Sequence, residues 1–292
     1  MNRNANTPAD SSRPIGVFDS GIGGLTVVSA LRALLPNESI FYLGDTARVP
    51  YGGKSAATVQ RYSREIAAML LDEKAKTVVV ACNTASALAL EQLTESLPVP
   101  VTGVIQPGAR AAVAATRNGH IGVIGTRATI GSGAYERALR ALNPQVRVTA
   151  RACPLLVPLI EEGWLQSAIT DEIIQQYIDP LVGEGIDTLV LGCTHYPLLR
   201  EAMARLLGEA ITLVDSAQNC AIAVRELLQR ENLCAPAASS GGLQVALTDP
   251  PDAFLRVARE ALQLDVGEVE VREITSRVDV ISGARSKERE RR

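Results

Sequence analysis

Short apolar segments alternate with helix-length amphipathic segments along most of this chain, and this alternation constrains its fold more than any other feature. The segment 25–35 carries apolar residues on one face with the 3.6-residue period of a helix. Strands that alternate with helices predict a mostly parallel sheet covered by helices on both faces. The predicted strands are IGVF, SIFYLGD, TVVVA, VPVTGVI, HIGVIGT, QVRVTARA, DTLVLGC, ITLVDSA and LQVALTD.

A weak internal repeat divides this pattern into two halves. IGVFDSG begins at Ile15 and IGVIGTR at Ile121, while VVVACNT and LVLGCTH place Cys82 and Cys193 at nearly the same offset. Short apolar strands can resemble one another by chance. The alternative, which we favour, is two similar α/β lobes related by a pseudo-two-fold axis, with the active site in the cleft between them.

The same pattern predicts the domain boundaries. Residues 1–13 and 276–292 are polar or charged and are expected to be a disordered arm and a disordered tail. Residues 14–105 form lobe one in this prediction, and residues 106–216 form lobe two. CAPAASSGG is expected to be a flexible linker, and residues 217–275 are expected to return and complete lobe one.

Composition excludes several classes of protein. The chain has 292 residues, of which 47% are hydrophobic and 21% charged, as in an ordinary globular protein. Its net charge of −3 gives no indication of a nucleic-acid partner. No apolar run approaches the roughly 20 residues of a membrane helix, and the N-terminus lacks a secretory signal, so we expect a cytoplasmic protein. The five cysteines are widely spread and are expected to be free thiols.

Two of these cysteines follow predicted strands, where open α/β sheets bind their ligands. Cys82 stands directly before a predicted helix, and Cys193 stands a few residues before another. A helix N-terminus stabilises a thiolate, so we expect this position to lower the thiol pKa. The alternative for either residue is a small buried side chain without chemistry. Cys153, Cys220 and Cys234 have no such setting and are interpreted as structural.

Each of the two cysteines has a candidate proton partner. Asp19 ends the first strand and could hydrogen-bond or deprotonate Cys82, and His195 lies two residues after Cys193. Alternatively, Asp19 caps a helix and His195 is an ordinary loop histidine.

Two thiols on opposite sides of one cleft favour racemisation over other reactions. Redox pairs usually lie close in sequence, and two distant thiols with His195 are too few for a zinc site. Lys54 is the only lysine near the candidate site, and nothing else there indicates pyridoxal phosphate. In racemisation, one thiolate removes the α-proton from one face of a carbon, and the other cysteine, as a thiol, protonates the opposite face. This chemistry requires no cofactor or metal.

The motifs FDSGIGG, YLGDTARVPYG, VVACNTASA, GTRATIGSGAY and LGCTHYPLL, in this order, resemble those of bacterial glutamate racemases. The resemblance covers about Ile15 to Ser216. It implies cofactor-independent interconversion of L- and D-glutamate, which supplies D-glutamate for peptidoglycan. It also implies a two-lobed fold and a homodimer.

The resemblance also implies roles for individual residues. Cys82, assisted by Asp19, would serve D-glutamate, and Cys193, assisted by His195, would serve L-glutamate. Three further candidates are Asp45 as an acid, base or positioning group, Thr126 at the substrate carboxylate, and Glu161, which we favour over Glu162. The expected substrate contacts are Asp19, Ser20, Tyr51, Gly52, Asn83, Thr84, Thr194 and His195.

Two other interpretations remain open from the sequence. The chain could be another two-cysteine racemase, acting on aspartate or a hydantoin. It could also be a non-catalytic binding protein with this fold, or a thiol redox sensor in which Cys82 and Cys193 become linked.

Overall fold

A computed structural model describes residues 11–249 and 252–274 of the chain. Its ten strands form two sheets, and every strand pairing in them is parallel. The strands are β1 (Ile15–Asp19), β2 (Ile40–Gly44), β3 (Thr77–Val80), β4 (Val101–Gly103), β5 (His120–Gly125), β6 (Arg147–Ala152), β7 (Thr188–Gly192), β8 (Thr212–Asp215), β9 (Leu243–Leu247) and β10 (Val269–Val271).

The two sheets have the same internal strand order. The first runs β4-β3-β1-β2-β9-β10 and the second β8-β7-β5-β6. β1 and β5 are therefore equivalent, and so are β3 and β7, the strands that lead into Cys82 and Cys193. This equivalence confirms the predicted fold of two similar parallel-sheet lobes. β1, β3, β5 and β7 are buried along their whole length, as expected for strands covered on both faces.

Helices cover both sheets. The helices are α1 (Leu25–Leu34), α2 (Ala56–Asp72), α3 (Asn83–Leu88), α4 (Leu90–Ser96), α5 (Ile105–Ala115), α6 (Arg127–Gly131), α7 (Ala134–Leu142), α8 (Leu156–Glu161), α9 (Ala168–Gly183), α10 (Arg200–Leu207), α11 (Ser216–Arg230) and α12 (Asp252–Arg256). Short 3₁₀ helices span Thr46–Arg48, Tyr51–Gly53, Tyr196–Leu199 and Gly208–Ala210, and a π-helical turn spans Val257–Ala261.

Several helices of the structure differ from those that local sequence patterns predict. The sequence pattern did not reveal α5, because Pro107 and Gly108 interrupt it, yet Pro107 lies in the first turn, where its missing N–H costs no hydrogen bond. The TDE sequence at residues 170–172 predicts that Thr170 caps α9, and the structure contradicts this prediction. Ser167 is the cap, and its hydroxyl accepts a hydrogen bond from the Thr170 N–H. The single helix expected after Cys82 is divided into α3 and α4 at Ala89.

The segments outside the two motif-bearing halves return to lobe one. β9 pairs with β2, and β10 pairs with β9, so both extend the first sheet. We therefore propose the division into residues 14–105 with 217–274, and residues 106–216. The predicted tail, 276–292, lies outside the described residues, as do residues 1–10 of the predicted arm. At the start of the described chain, the Ser11 carbonyl accepts a hydrogen bond from Lys76.

None of the helices in the described ranges is both long enough and apolar enough to span a lipid bilayer.

Candidate active site

A cavity of about 410 Å³ opens between the lobes, at the carboxyl ends of the equivalent strands. Asp19 ends β1 and Cys82 follows β3, while Thr126 follows β5 and Cys193 follows β7. A second cavity, of about 720 Å³ between α1, α10 and α11, is larger but contains none of the predicted residues. The predicted residues that line the smaller cavity are Asp19, Ser20, Tyr51, Gly52, Cys82, Asn83, Thr84, Thr126, Glu161, Cys193, Thr194 and His195.

Cys82 is buried in the lobe-one wall of this cavity, as the N-terminal capping residue of α3. Its Sγ lies 3.5 Å from the Ser20 Oγ, to which the thiol donates, and it accepts a hydrogen bond of 3.5 Å from the Ala85 N–H. Both contacts would also stabilise a thiolate.

The expected lowering of the Cys82 pKa was wrong. Burial raises the pKa of this thiol to about 12, and the negative charge of Asp19 adds to the rise. The hydrogen bonds with Ser20 and Ala85 lower the pKa but do not outweigh desolvation. Cys82 is therefore a thiol, a proton donor, at neutral pH.

The two oxygens of the Asp19 carboxylate have different surroundings. Oδ2 accepts hydrogen bonds of 3.0 Å from the N–H groups of Gly21 and Gly24, which hold the turn before α1. Oδ1 is buried and has no hydrogen-bond partner among the described residues. Burial raises the pKa of Asp19, although the charge of His195 and the backbone amides oppose the rise. Asp19 is therefore not the N-terminal cap of α1, since that position is Gly24, and its Oδ1 is left for a role in proton transfer.

Cys193, His195 and Glu161 form a chain of contacts in lobe two. The Cys193 Sγ lies 3.7 Å from the His195 Nδ1, and the His195 Nε2 lies 3.0 Å from the Glu161 Oε1. The structure places Glu161, rather than Glu162, against the histidine and in the cavity wall. We call these three residues the lobe-two relay.

The relay favours a protonated His195. Burial by itself lowers the pKa of the imidazole, but the hydrogen bonds and charges of Cys193 and Glu161 outweigh it and raise the pKa to about 10. At neutral pH a positively charged imidazolium therefore faces the Cys193 sulfur. The two cysteines thus have neighbours of opposite charge, Asp19 beside Cys82 and the His195 imidazolium beside Cys193.

Asp45 is the predicted residue that does not line the cavity. It is fully buried, and its carboxylate accepts hydrogen bonds from the Tyr51 hydroxyl, the Arg48 guanidinium and the Thr248 hydroxyl. Tyr51 does line the cavity, so Asp45 reaches the site only through Tyr51. The arrangement fits a positioning group and gives no support to an acid–base role.

Hydroxyl and amide contacts join the two lobes at the cavity floor. Thr84 of lobe one lies 3.0 Å from the Thr126 Oγ1 and 3.2 Å from the Thr129 Oγ1 of lobe two. The Asn83 Oδ1 accepts a hydrogen bond of 2.7 Å from the Tyr135 hydroxyl. Thr129 and Tyr135 are not among the predicted site residues, although both lie inside the GTRATIGSGAY motif.

In the parts of the chain that the structure describes, no three His, Cys, Asp or Glu side chains come together in a way that could hold a metal ion. All five cysteines are unbridged, and Cys234 is exposed.

One protein family, described as Asp/Glu/Hydantoin racemase, matches this chain over residues 25–227. The matched residues include Cys82 and Cys193. The chain belongs to this racemase family. The resemblance seen in the sequence, and the expected class of enzyme, are therefore confirmed.

Individual members of the family are similar over nearly their whole length. A glutamate racemase of Geobacter metallireducens is 50% identical over 257 residues, which are 88% of this chain and 95% of that protein. The crystal structure of the glutamate racemase isoform RacE1 from Bacillus anthracis is 41% identical, with a TM-score of 0.85, over 91% of this chain and 98% of that one. A Francisella tularensis glutamate racemase in complex with D-glutamate is 37% identical, also with a TM-score of 0.85, over 91% of this chain and 99% of that one.

The Glu161→Gln variant tests the lobe-two relay of this family member. Replacing the carboxylate with a neutral amide removes a charge that stabilises the imidazolium, so the pKa of His195 should fall below about 10. Because the pKa of His195 is raised from 6.5 to about 10, its protonation stabilises the fold. This stabilisation is complete below pH 6.5 and is lost as the pH rises through about 10. The Glu161→Gln variant should therefore lose stability mainly at neutral pH and below. An NMR titration of the imidazole signals measures the pKa, and the chain has only two histidines.

Glu162→Gln is the matched control, because Glu162 does not line the cavity. An unchanged His195 titration in Glu161→Gln, or an equal shift in Glu162→Gln, would contradict the relay.

Proposed function

We propose that this chain is a glutamate racemase that interconverts L- and D-glutamate through two bases, Cys193 and Cys82. The observation that carries the proposal is the pair of thiols at equivalent strand ends, in the walls of one cavity between the lobes. Each thiol also has a separate acidic or basic neighbour. The names of similar proteins over most of the chain support glutamate as the substrate.

The protonation states define a starting point for the reaction. Cys193, with the imidazolium of His195 beside it, acts as the base and removes the α-proton of L-glutamate. Cys82, whose pKa is raised to about 12, begins as the thiol and gives its proton to the opposite face of the α-carbon. The product is D-glutamate, with Cys193 now a thiol and Cys82 a thiolate. The same steps in reverse convert D-glutamate to L-glutamate, and no cofactor is needed for either direction.

The surrounding residues stabilise the charges that this reaction creates. A Cys82 thiolate would receive hydrogen bonds from the Ser20 hydroxyl and the Ala85 N–H, the groups within 3.5 Å of its sulfur. Hydroxyl and amide groups of Ser20, Asn83, Thr84, Thr126 and Thr194 line the cavity and suit the two carboxylates of glutamate. Donors already directed at developing charge are the usual source of transition-state stabilisation.

The deciding experiment uses purified protein in deuterated water with no added cofactor. We expect L-glutamate to give D-glutamate that carries deuterium at the α-carbon, as observed by NMR and chiral chromatography. L-aspartate, incubated in parallel, should exchange more slowly, because glutamate is the proposed substrate. Absence of exchange with both glutamate enantiomers would rule out the proposal, and faster turnover of aspartate would reassign the substrate.

We further propose that the enzyme is a cytoplasmic homodimer that supplies D-glutamate for peptidoglycan. Growth of a bacterial D-glutamate auxotroph that expresses the wild-type chain, but not Cys193→Ala, tests the cellular role. Light scattering on the purified protein measures the mass of the assembly.

A further inference from the structure

Thr26 forms a hydrogen bond between the lobes directly beneath the site. It lies in the first turn of α1, where a glycine would complete a dinucleotide-binding GxGxxG pattern, and its side chain is buried. Its hydroxyl lies 2.8 Å from the carbonyl oxygen of Gly23 in its own turn. It also lies 2.9 Å from the carbonyl oxygen of Thr194 in lobe two. The single hydroxyl proton is therefore shared between the two lobes.

The turn that carries Thr26 also packs against His195. A Cβ atom placed on Gly23 would lie 2.4 Å from the His195 Nδ1 and 2.7 Å from the Thr194 Oγ1. Contacts this short do not occur in proteins, so the imidazole approaches closely only because residue 23 has no side chain. The nitrogen that faces Gly23 is the one that lies nearest to Cys193.

Thr194 connects the two members of the lobe-two relay that carry the proton. Thr194 stands between Cys193 and His195 in the chain. The hydrogen bond from Thr26 that fixes its carbonyl therefore also restricts the orientation of these two neighbouring side chains. The Cys193 Sγ and the His195 Nδ1 lie 3.7 Å apart, so a displacement of a few tenths of an ångström would weaken their contact. Misplacement of a reacting group by about 1 Å can reduce a rate by about a hundredfold.

We propose that Thr26 is a positioning residue for proton transfer at Cys193. From lobe one, its hydroxyl fixes the segment Cys193–Thr194–His195 of lobe two, and it has no such contact with Cys82. This inference rests on the proposed racemase function. A merely structural link between the lobes would affect both proton transfers alike. The proposed role of Thr26 differs, because its loss should affect the proton transfer at Cys193 and not the one at Cys82.

The test compares Thr26→Val, which removes the hydroxyl and keeps the shape, with Thr26→Ser, which keeps the hydroxyl. Thr77→Val is the matched control, because the buried Thr77 hydroxyl also donates to a backbone carbonyl, that of Pro100, at 2.9 Å but at the opposite end of β3. Thr26→Val should lower kcat/KM by about tenfold, the effect of leaving one buried carbonyl unpaired. Thr26→Ser and Thr77→Val should remain near the wild-type value.

Isotope effects identify which transfer has changed. The fixed equilibrium constant requires kcat/KM to fall by the same factor in both directions, so rates alone cannot distinguish the two half-sites. In Thr26→Val, the isotope effect on kcat/KM with α-deuterated L-glutamate should rise, because removal of its proton by Cys193 becomes more rate-limiting. With α-deuterated D-glutamate, whose proton Cys82 removes, the isotope effect should fall.

Each other outcome has a distinct meaning. Equal changes in both isotope effects, an equal loss in Thr77→Val, or failure of Thr26→Ser to retain activity would overturn the positioning role. If Thr26→Val does not fold, Gly23→Ala displaces the same imidazole and must give the same asymmetry for the inference to stand. A wild-type protein that racemises neither enantiomer would instead refute the proposed function itself, before any variant is compared.

Discussion

Replacing Cys82 or Cys193 with alanine is expected to lower glutamate racemisation by about a thousandfold or more, because a positioned proton donor or acceptor contributes about 10²–10⁴ in rate. Each variant keeps one base and should retain a partial reaction. Cys82→Ala still has Cys193 and should exchange the α-proton of L-glutamate with deuterated water without forming D-glutamate. Cys193→Ala should do the same with D-glutamate. Proton NMR and chiral chromatography of the same samples measure exchange and racemisation together.

Cys220→Ala is the matched control for these variants. Like Cys82, Cys220 is buried and burial raises its pKa to about 12, but it lies on α11 and does not line the cavity. Its replacement should leave turnover near the wild-type rate. Full racemisation by either site variant would refute the two-base mechanism. Exchange of the wrong enantiomer would reverse the assignment of the two cysteines.

Replacing Lys76 with methionine should destabilise the protein by about 3–5 kcal/mol, the usual effect of breaking a buried ion pair. Lys76 is fully buried, and its Nζ lies 2.5 Å from the Glu38 Oε2 and 2.6 Å from the Ser11 carbonyl oxygen. The contact with Glu38 is an ion pair. Glu38 in turn accepts a hydrogen bond from the Ala235 N–H, so the variant leaves a buried carboxylate without its cation. Chemical denaturation followed by circular dichroism measures the loss.

Arg140→Met is the control for this prediction. Arg140 pairs with Glu136 at 2.9 Å, but both side chains are about half exposed, and exposed pairs contribute only about 0–1 kcal/mol. The double variant Lys76→Met with Glu38→Leu should recover part of the stability, because no charge then remains buried. A loss in Lys76→Met no larger than that in Arg140→Met would contradict the importance of the buried pair.

The repeat was the most informative sequence feature, and the reason is physical. A parallel strand buried on both faces must be apolar throughout, and its carboxyl end must open onto the ligand site. IGVF and HIGVIG, and likewise TVVV and TLVLG, could therefore be recognised as strands, and the polar residues after them as site candidates. All of those candidates except Asp45 line one cavity.

Features that depend on distant partners were not predictable from local patterns. Asp45 follows a strand as the other candidates do, but Arg48 and Tyr51 occupy its carboxylate, so it does not reach the cavity. The helix N-terminus after Cys82 predicted a lowered pKa, whereas burial of the thiol, a property of the packed lobes, has the larger effect and opposite sign.

The sequence by itself determined the strands β1 to β9, the two-fold repetition of the fold and the residue types at the strand ends, because these follow from periodicity over a few neighbouring residues. Only the tertiary structure decided which groups that are distant in the chain meet, whether between the lobes or within one of them. Thr26 and Thr194 are 168 positions apart, and His195 and Glu161 are 34 apart. Their contacts, and the burial that sets the protonation of Cys82, exist only in the folded chain, where the two lobes enclose the cavity.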